Sequence, residues 1–527
     1  MGPSDDENVI ATEPAPRSVL RTVVPFLLWN EFGERLAFYG LSTNLIIYLT
    51  DVIGQSPSTA AININLFTGT CYLTPLLGAV LADTVWGRYK TILIFSWVYF
   101  AGLVLLTASS SWSSKSVAAL YVALYTIALG TGGIKANNST FGADQFDDQN
   151  PGDQAEKQSF FNWFYFSINV GSLIASTVVV YIQQNVSWTL GFALPAGAML
   201  CAIAVFLAGN SRYKHVHPSG RSPLGQIIDV SQVAWNNRGR ARRRDLQERG
   251  DEESEPLVPD DGDELDNVTR DEDIDIHHIK LYKWLDGALE YFSAEEVREV
   301  KLVYALLPVF MTTIFYWTIY TQMQTFFVVQ GSLLDRKMGS GTFEIPAASL
   351  SVIDTAAIVG FIPVYDRLLN PLLRRLGRPL TTLKRIGYGL VICSWSMIAA
   401  AAVERKRLHA VHNGEPPPSI WWQIPQYMLV GTSEVFSSVG TMEFFYDNAP
   451  ATMKSSASAL QLLSVCIGSY LSSVLVVVMQ WLSTLGGGQG FLPPDLDQGR
   501  LDLFFMFLAI FMGLNVYVFV RVCRHCY

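Results

Sequence analysis

Eight long stretches of this chain contain no Asp, Glu, Lys or Arg. The hydrocarbon core of a bilayer is about 30 Å thick, so a helix needs roughly 20 consecutive apolar residues to cross it. Only 16% of the chain is charged, against about a quarter of a soluble domain, which excludes a water-facing surface of normal size. The stretches therefore predict membrane spans at 91–114, 116–134, 158–211, 302–334, 386–403, 416–433, 455–494 and 503–520.

The predicted fold class is an all-α membrane protein with twelve transmembrane helices. The two longest stretches are long enough for helical hairpins, and 158–211 supplies two of the twelve helices. Three further segments complete the set: 36–50 with its charged N-terminal extension, 62–82, and 346–365 with its single acid, Asp354. The predicted helices lie near 22–49, 62–83, 91–110, 116–135, 160–181, 188–208, 302–329, 346–366, 384–403, 419–442, 456–481 and 502–521.

A hydrophilic segment, 209–300, divides the helices into two groups of six. Within it, 251–275 contains 13 acidic residues and a single base, Arg270. So few apolar residues cannot form a core, and we predict a disordered centre at 236–276 followed by a membrane-surface helix at 279–300. The predicted domains are a tail (1–21), a six-helix bundle (22–208), the linker (209–300), a second six-helix bundle (301–521) and a tail (522–527).

The distribution of basic residues predicts that both termini are cytoplasmic. With this orientation the short cytoplasmic segments contain 13 Lys and Arg residues and the outer loops contain seven. Basic residues concentrate on the cytoplasmic side of membrane proteins. The cluster Arg405–Arg407 falls on the predicted outer side and argues against the assignment.

The first predicted span contains three ionisable residues, Glu31, Glu34 and Arg35, which are unusual inside a membrane. Each ionisable side chain at the centre of a span costs about 2.5–3.5 kcal/mol unless it is paired or hydrated. Glu31, Arg35 and Tyr39 are spaced by four, so they share one helical face. Two acids against one base leave a spare carboxylate, which predicts a proton-coupling site beside an anion-binding arginine. The alternative is a permanent structural ion pair.

A weak internal repeat supports two related halves. Asp83 and Arg88 follow the second predicted helix, and Asp366 and Arg367 follow the eighth, each pair near glycines. The pattern resembles the major facilitator motif. We predict that it forms a charge latch between helix ends, made and broken as two halves rock about a central site.

Several motifs together resemble the signatures of the proton-dependent oligopeptide transporters. The first is EFGERLAFYG at 31–40, similar to ExxERFxYYG with Leu36 and Phe38 as replacements. Matches cover nearly every predicted helix, and the spelling is most similar to the plant and algal nitrate/peptide branch. The other matching segments are 72–83, 130–148, 160–177, 343–351, 363–367, 421–436 and 443–450.

The resemblance implies a role for each matching residue. In the family, the residues matched by Arg35 and Lys135 lie near the peptide carboxylate. The residue matched by Glu434 receives the peptide amino group, and that matched by Asn169 hydrogen-bonds the same end. The matched cavity tyrosines are Tyr39 and Tyr72. The alternatives are a snorkelling lysine, an ordinary interhelical hydrogen bond for Asn169, and packing for the tyrosines.

The chain also departs from the family pattern. Animal members have a histidine where Asn65 stands, and all seven histidines of this chain lie outside the predicted spans. Proton coupling is therefore expected to use carboxylates. The seventh span lacks the acid of bacterial members, so we expect aromatic contacts to close the outer gate, from Phe315, Tyr316 and Trp317.

Substrate choice depends on the seventh helix. Nitrate-transporting relatives with a known binding residue place a histidine where Tyr320 stands, two residues before Gln322. We assign both residues to the substrate site. A zwitterionic peptide needs opposite charges across a cavity, whereas nitrate needs only a compact positive site. Arg35 and Lys135 opposite Glu434 favour a peptide.

The sequence therefore predicts a proton-coupled symporter of di- and tripeptides in the plasma membrane or a vacuolar or endolysosomal membrane. The alternatives are a carrier of nitrate or another small organic anion, and a membrane sensor whose linker recruits a cytoplasmic partner. We expect no enzyme activity, cofactor, metal or nucleic acid, because phosphate loops, nucleophile elbows and metal-ligand clusters do not stand out.

Overall fold

The computed structural model of the chain describes residues 18–111, 116–147, 150–216, 218, 223–252, 280–338, 343–377, 380–450, 453–485 and 490–526. Within these ranges, in addition to the helices of the linker, lie the twelve helices that the hydropathy pattern predicts. They are α1 Val24–Ser42, α2 Pro57–Leu81, α3 Arg88–Ser111, α4 Val117–Ala143, α5 Pro151–Ile174, α6 Trp188–Ala208, α7 Leu307–Tyr320, α8 Ser351–Val364, α9 Thr382–Asn413, α10 Ile424–Asn448, α11 Lys454–Thr484 and α12 Leu501–Cys526.

Local sequence signals start several of these helices. Ser56, Ser116 and Ser187 cap α2, α4 and α6 by accepting a hydrogen bond from a first-turn backbone N–H, which satisfies a donor that the helix itself leaves free. Several helices continue past a local change in winding. For example, α7 is followed by a 3-10 turn and by Phe326–Ser332.

Ten helices in the described part of the chain are long and apolar enough to cross a membrane by themselves. The remaining two, α1 and α10, contain Glu31, Glu34, Arg35 and Glu434. The helices with the weakest membrane signal are thus those that carry the predicted site. In α1 both acids are buried within the bundle instead of being exposed to lipid.

The two bundles pack with the same pattern. In the N-terminal bundle α1 packs on α5 and α6, α4 on α2 and α3, and α3 on α6; in the C-terminal bundle α7 packs on α11 and α12, α10 on α8 and α9, and α9 on α12. The pairs correspond helix by helix after a shift of six, as two related halves require. Between the bundles the most extensive pairing is α2 with α11.

The contacts between bundles gather away from the side where the linker lies. We call the linker side the terminal side and the other the distal side. Ser473 Oγ donates to Ile62 O at 3.2 Å, the hydroxyls of Thr70 and Tyr470 lie 3.1 Å apart, and the rings of Tyr181 and Phe343 stack. These residues lie in the distal halves of their helices or in a distal loop. The bundles are therefore held together on the distal side.

The linker contains more helix than predicted. A helix runs over Pro223–Glu252, so the first part of the segment predicted to be disordered, 236–252, is helical; residues 253–279 lie outside the described residues. The single surface helix predicted at 279–300 is instead a 3-10 helix, Lys280–Ala288, and a separate α-helix, Ala294–Ala305. The buried side chains that join these elements include Val230, Ala234, Leu285, Val297 and Val300.

The basic cluster Arg405–Arg407 lies inside α9, not in an outer loop as predicted. Arg407 is 1% exposed, pairs with Glu404 at 2.7 Å, and also pairs with Asp497. Glu404 in turn accepts a hydrogen bond from Gln330 of the segment after α7 at 3.0 Å. The charge of Arg407 is thus neutralised inside the protein, so it carries little weight in the count of outer basic residues.

Candidate functional site

Arg35 is held between two acids of its own helix. Its Nε donates to Glu31 Oε1 at 2.7 Å and lies 3.1 Å from Glu34 Oε2. Glu31 also accepts a hydrogen bond of 2.5 Å from Asn138 on α4, whereas neither oxygen of Glu34 hydrogen-bonds to a described residue. Both acids are at most 1% exposed. Glu34 is therefore the spare carboxylate of the predicted pair.

Glycines let α4 approach its neighbours closely enough to position Lys135. A Cβ on Gly78 of α2 would lie 2.3 Å from the carbonyl oxygen of Gly132, and a Cβ on Gly133 would lie 2.3 Å from the ring of Phe95. Such contacts exclude any side chain at Gly78 and Gly133, and small residues commonly allow this packing between membrane helices.

Lys135 lies between two aromatic rings and forms no ion pair with a described residue. Its Nζ is 4.0 Å from the ring centre of Phe38 and 3.9 Å from that of Tyr72. Two such contacts hold an ammonium in place, since each contributes about 2 kcal/mol when desolvated. No described residue accepts a hydrogen bond from it. The cation is therefore positioned but not neutralised, as an anion-binding group needs to be.

The C-terminal bundle contributes an acid, Glu434, to the site. Tyr320 of α7 donates its hydroxyl hydrogen to Glu434 Oε2 of α10 at 2.8 Å. Among the described residues no cation pairs with Glu434. This side of the site thus offers a carboxylate supported by one neutral donor.

Three tyrosines are within electrostatic range of charges on both bundles. Tyr39, Tyr72 and Tyr165 each interact electrostatically with both Arg35 and Glu434. Phenol groups are thus neighbours of both the predicted positive group Arg35 and the predicted negative group Glu434. Tyr165 was not predicted, although it lies one helical turn before Asn169 in the matching segment 160–177.

Two predicted substrate residues have hydrogen-bond partners outside this set of charges. Asn169 donates to the backbone oxygen of Tyr165 at 2.7 Å, so one of its donors serves its own helix. Gln322 is 1% exposed and donates to Ser472 Oγ at 2.9 Å, while Asn65 donates to the same oxygen at 3.0 Å. In this conformation Gln322 belongs to the contact between the bundles, not to the cavity.

The aromatic gate predicted from α7 is also absent from that contact. Phe315 packs on Phe511 of α12, while Tyr316 and Trp317 contact Tyr320 on their own helix. These rings pack within the C-terminal bundle. Among the described residues the distal closure uses the hydroxyl and amide groups on α2, α7 and α11, together with the stacked rings of Tyr181 and Phe343.

The first predicted charge latch is formed, whereas the second is described only in part. Arg88 pairs with Asp144 at the end of α4 and lies 3.9 Å from Asp83, after a turn at Gly87 whose φ is +75°. Arg367 is exposed, and the side chain of Asp366 lies outside the described residues.

At the corresponding place in the C-terminal bundle, Arg385 pairs with Glu443 at 2.8 Å and donates to Val435 O at 2.8 Å. Its guanidinium also lies 4.6 Å from the ring centre of Tyr365. Arg385 is in the first turn of α9, as Arg88 is in the first turn of α3. This shared position is the sequence signal that could have identified Arg385.

Comparison with known proteins gives the same assignment throughout the chain. The model of the POT family matches residues 89–491. Protein NRT1/PTR family 8.1 of Arabidopsis thaliana is 43% identical over 95% of this chain and 92% of its own length. Protein NRT1/PTR family 8.5 of the same plant is 41% identical over 95% of this chain and 88% of its own length.

Solved structures show the same fold. An auto-inhibited POT family peptide transporter has a TM-score of 0.75 at 25% identity and covers 95% of this chain and 96% of its own. The POT family transporter PepTSo has a TM-score of 0.76 at 24% identity, covering 95% and 98%. With twelve helices in two matching bundles, this chain is a multi-pass membrane transporter of the major facilitator fold and belongs to the POT family.

Proposed function

We propose that this protein is a symporter that imports di- and tripeptides with protons. The observation that carries the proposal is the placement of unlike charges on the two bundles. Lys135, which has no counter-ion among the described residues, and Arg35 lie on the N-terminal bundle, and Glu434 lies on the other. A zwitterionic peptide fits this arrangement because its carboxylate and ammonium satisfy both ends at once.

Proton coupling is assigned to the carboxylates beside Arg35. Glu34 is buried without a hydrogen bond among the described residues, so its ionised form lacks the support that Asn138 gives to Glu31. Protonation of Glu34 leaves Glu31 as the single acid paired with Arg35, and deprotonation adds a second negative charge. A peptide carboxylate competes for the same arginine, so substrate and proton binding are linked through Arg35.

The orientation follows from the charge distribution. With both termini in the cytoplasm, the distal side faces outward and the described conformation is closed to the outside. The neutralisation of Arg407 inside the protein supports this orientation. Alternating access then requires the α2–α11 contact to open while the terminal side closes, as in transporters built from two related halves.

Nitrate transport is less well supported by the same site. The hydroxyl of Tyr320 is committed to Glu434, so the seventh-helix position offers an anion a carboxylate in place of a cation. A proteoliposome panel with an imposed pH gradient, inside alkaline, tests the proposal by comparing dipeptides, single amino acids and nitrate. Accumulation of nitrate without inhibition by dipeptides contradicts it, and substrate binding without net transport indicates a sensor.

A further inference from the structure

A second buried acid lies in the C-terminal bundle and is used by nothing described so far. Asp354 is in the first turn of α8 and is 5% exposed. Its Oδ1 is buried without a hydrogen-bond partner among the described residues, and it forms no ion pair with them. A carboxylate buried without a partner destabilises the fold, which suggests that Asp354 has a functional role.

The closest neighbour of Asp354 is the helix that carries Glu434. A Cβ on Gly431 of α10 would lie 3.0 Å from Asp354 Oδ1 and 2.6 Å from its backbone oxygen, so α8 and α10 touch here because residue 431 is a glycine. Glu434 is three positions further along α10, on the same face of the helix. Its charge acts on Asp354.

The other titratable groups that interact with Asp354 are phenols. They are Tyr427 of α10 and Tyr316 and Tyr320 of α7. Within the described residues no lysine, arginine or histidine acts on Asp354. An unpaired ionised carboxylate is strongly disfavoured in such surroundings, and a buried acid takes up a proton instead. An ionised Asp354 would therefore be an unpaired charge in the described conformation, and protonation removes that charge.

We propose that Asp354 binds a transported proton in the C-terminal bundle, in addition to the proton bound beside Arg35 in the N-terminal bundle. The proposal rests on proton-coupled peptide transport as the function. A proton from the outer water forms the O–H bond of Asp354, and the same bond breaks when the proton passes to cytoplasmic water.

This second site explains how the C-terminal bundle crosses between its two states without an unpaired charge. The peptide ammonium neutralises Glu434, and the proton neutralises its neighbour Asp354. If Asp354 were ionised, the loaded carrier would bury a carboxylate repelled by Glu434. The wild-type carrier is therefore expected to move at least two protons with each peptide.

The test compares the proton-to-peptide ratio of wild-type protein, Asp354→Asn and Asp354→Glu. Proteoliposomes accumulate a non-hydrolysable dipeptide at several imposed pH gradients and potentials. The logarithm of the steady-state accumulation ratio, plotted against the imposed proton-motive force, has a slope that gives the number of protons moved with each peptide. We expect the slope to fall by one proton in Asp354→Asn and to be retained in Asp354→Glu. An unchanged slope in Asp354→Asn overturns the proposal.

Counterflow exchange of the dipeptide, which needs no gradient, reports folding and peptide binding separately. Failure of wild-type counterflow contradicts the peptide function itself, not the role of Asp354. If Asp354→Asn shows no counterflow, potentiometric titration of purified wild-type protein and purified Asp354→Asn tests whether Asp354 binds a proton. We expect wild-type protein to take up one more proton than Asp354→Asn across the neutral range, and identical titration curves overturn the proposal.

Discussion

Glu31 and Glu34 share one arginine but differ in their support. Glu31 hydrogen-bonds to both Arg35 and Asn138, whereas Glu34 is at ion-pair distance from Arg35 and lacks a described hydrogen bond. Replacing Glu31 removes the carboxylate closest to the buried guanidinium of Arg35. Replacing Glu34 removes the group whose charge is least stabilised. At the residue scale we therefore expect the two replacements to have different effects on transport.

We expect Glu34→Gln to abolish gradient-driven accumulation while counterflow exchange persists, because the amide cannot carry the coupling proton. Glu31→Gln should lower both, since breaking a buried pair costs about 3–5 kcal/mol. Uptake with and without a pH gradient measures the difference. Full accumulation by Glu34→Gln would remove Glu34 from the coupling mechanism, and the double replacement should also show no accumulation.

Glu434→Gln should weaken a dipeptide much more than an analogue without the amino group. A hydrogen bond to a charged group contributes about 1.5–3 kcal/mol, or roughly 10- to 100-fold in affinity. Competition against a labelled dipeptide measures both constants. Tyr320→Phe is the matched control, because it removes the hydroxyl and keeps the acid. Equal losses for the two ligands in Glu434→Gln would show a structural role.

The wild-type protein should transport little nitrate, and Tyr320→His is the change most favourable to nitrate. A protonated imidazole supplies the missing cation, but Glu434 lies within hydrogen-bond distance of this position and competes for it. We therefore expect more nitrate uptake by the double variant Tyr320→His, Glu434→Gln than by Tyr320→His alone. Strong nitrate uptake by wild-type protein would favour the alternative substrate.

At the scale of helices, corresponding arginines tie corresponding helix ends. Arg88 joins the start of α3 to the end of α4, and Arg385 joins the start of α9 to the end of α10. Both pairs are formed in the conformation that is closed on the distal side. If they break during the transition, each one stabilises this conformation.

Arg385→Ala should therefore shift the carrier away from the terminal-open state. A partly exposed ion pair contributes about 1 kcal/mol, or roughly fivefold in an equilibrium. Reaction of an engineered cavity cysteine with an impermeant reagent, applied from each side, measures the shift. The exposed Arg367 provides the control, because Arg367→Ala should have little effect. An equal effect of both replacements would contradict the assignment of the latch.

At the scale of the whole molecule, the linker is a packed structural element with a highly acidic segment outside the described residues. The linker helix Pro223–Glu252 packs on the elements between Lys280 and Ala305, and Ser231 and Tyr304 join their hydroxyls at 3.0 Å. This packing does not depend on the acidic residues. Helix packing and acidic charge can therefore be tested separately.

Replacing residues 253–275 by a neutral Gly/Ser segment of equal length should leave initial uptake per surface molecule unchanged. Val230→Asp is the contrasting variant, since Val230 is fully buried in the linker core and a buried unpaired charge costs several kcal/mol. Uptake corrected for surface expression measures both. A large loss of turnover in the Gly/Ser variant would show that the acidic segment takes part in gating.

The sequence alone determined the number of membrane helices, their division into six and six, and the ionisable residues that could form a site. Hydropathy is a property of consecutive residues, so spans are visible without knowing what they contact. The family motifs likewise identified Arg35, Lys135 and Glu434 as candidate site residues.

Only the tertiary structure decided which side chains meet, because partners on different helices are far apart in the chain. It paired Gln322 and Asn65 with Ser472, Arg407 with Asp497 and Arg385 with Glu443, and it left Asp354 beside the helix of Glu434. None of these depends on local periodicity. Each depends on how closely two helices approach, and glycines such as Gly431 set that distance.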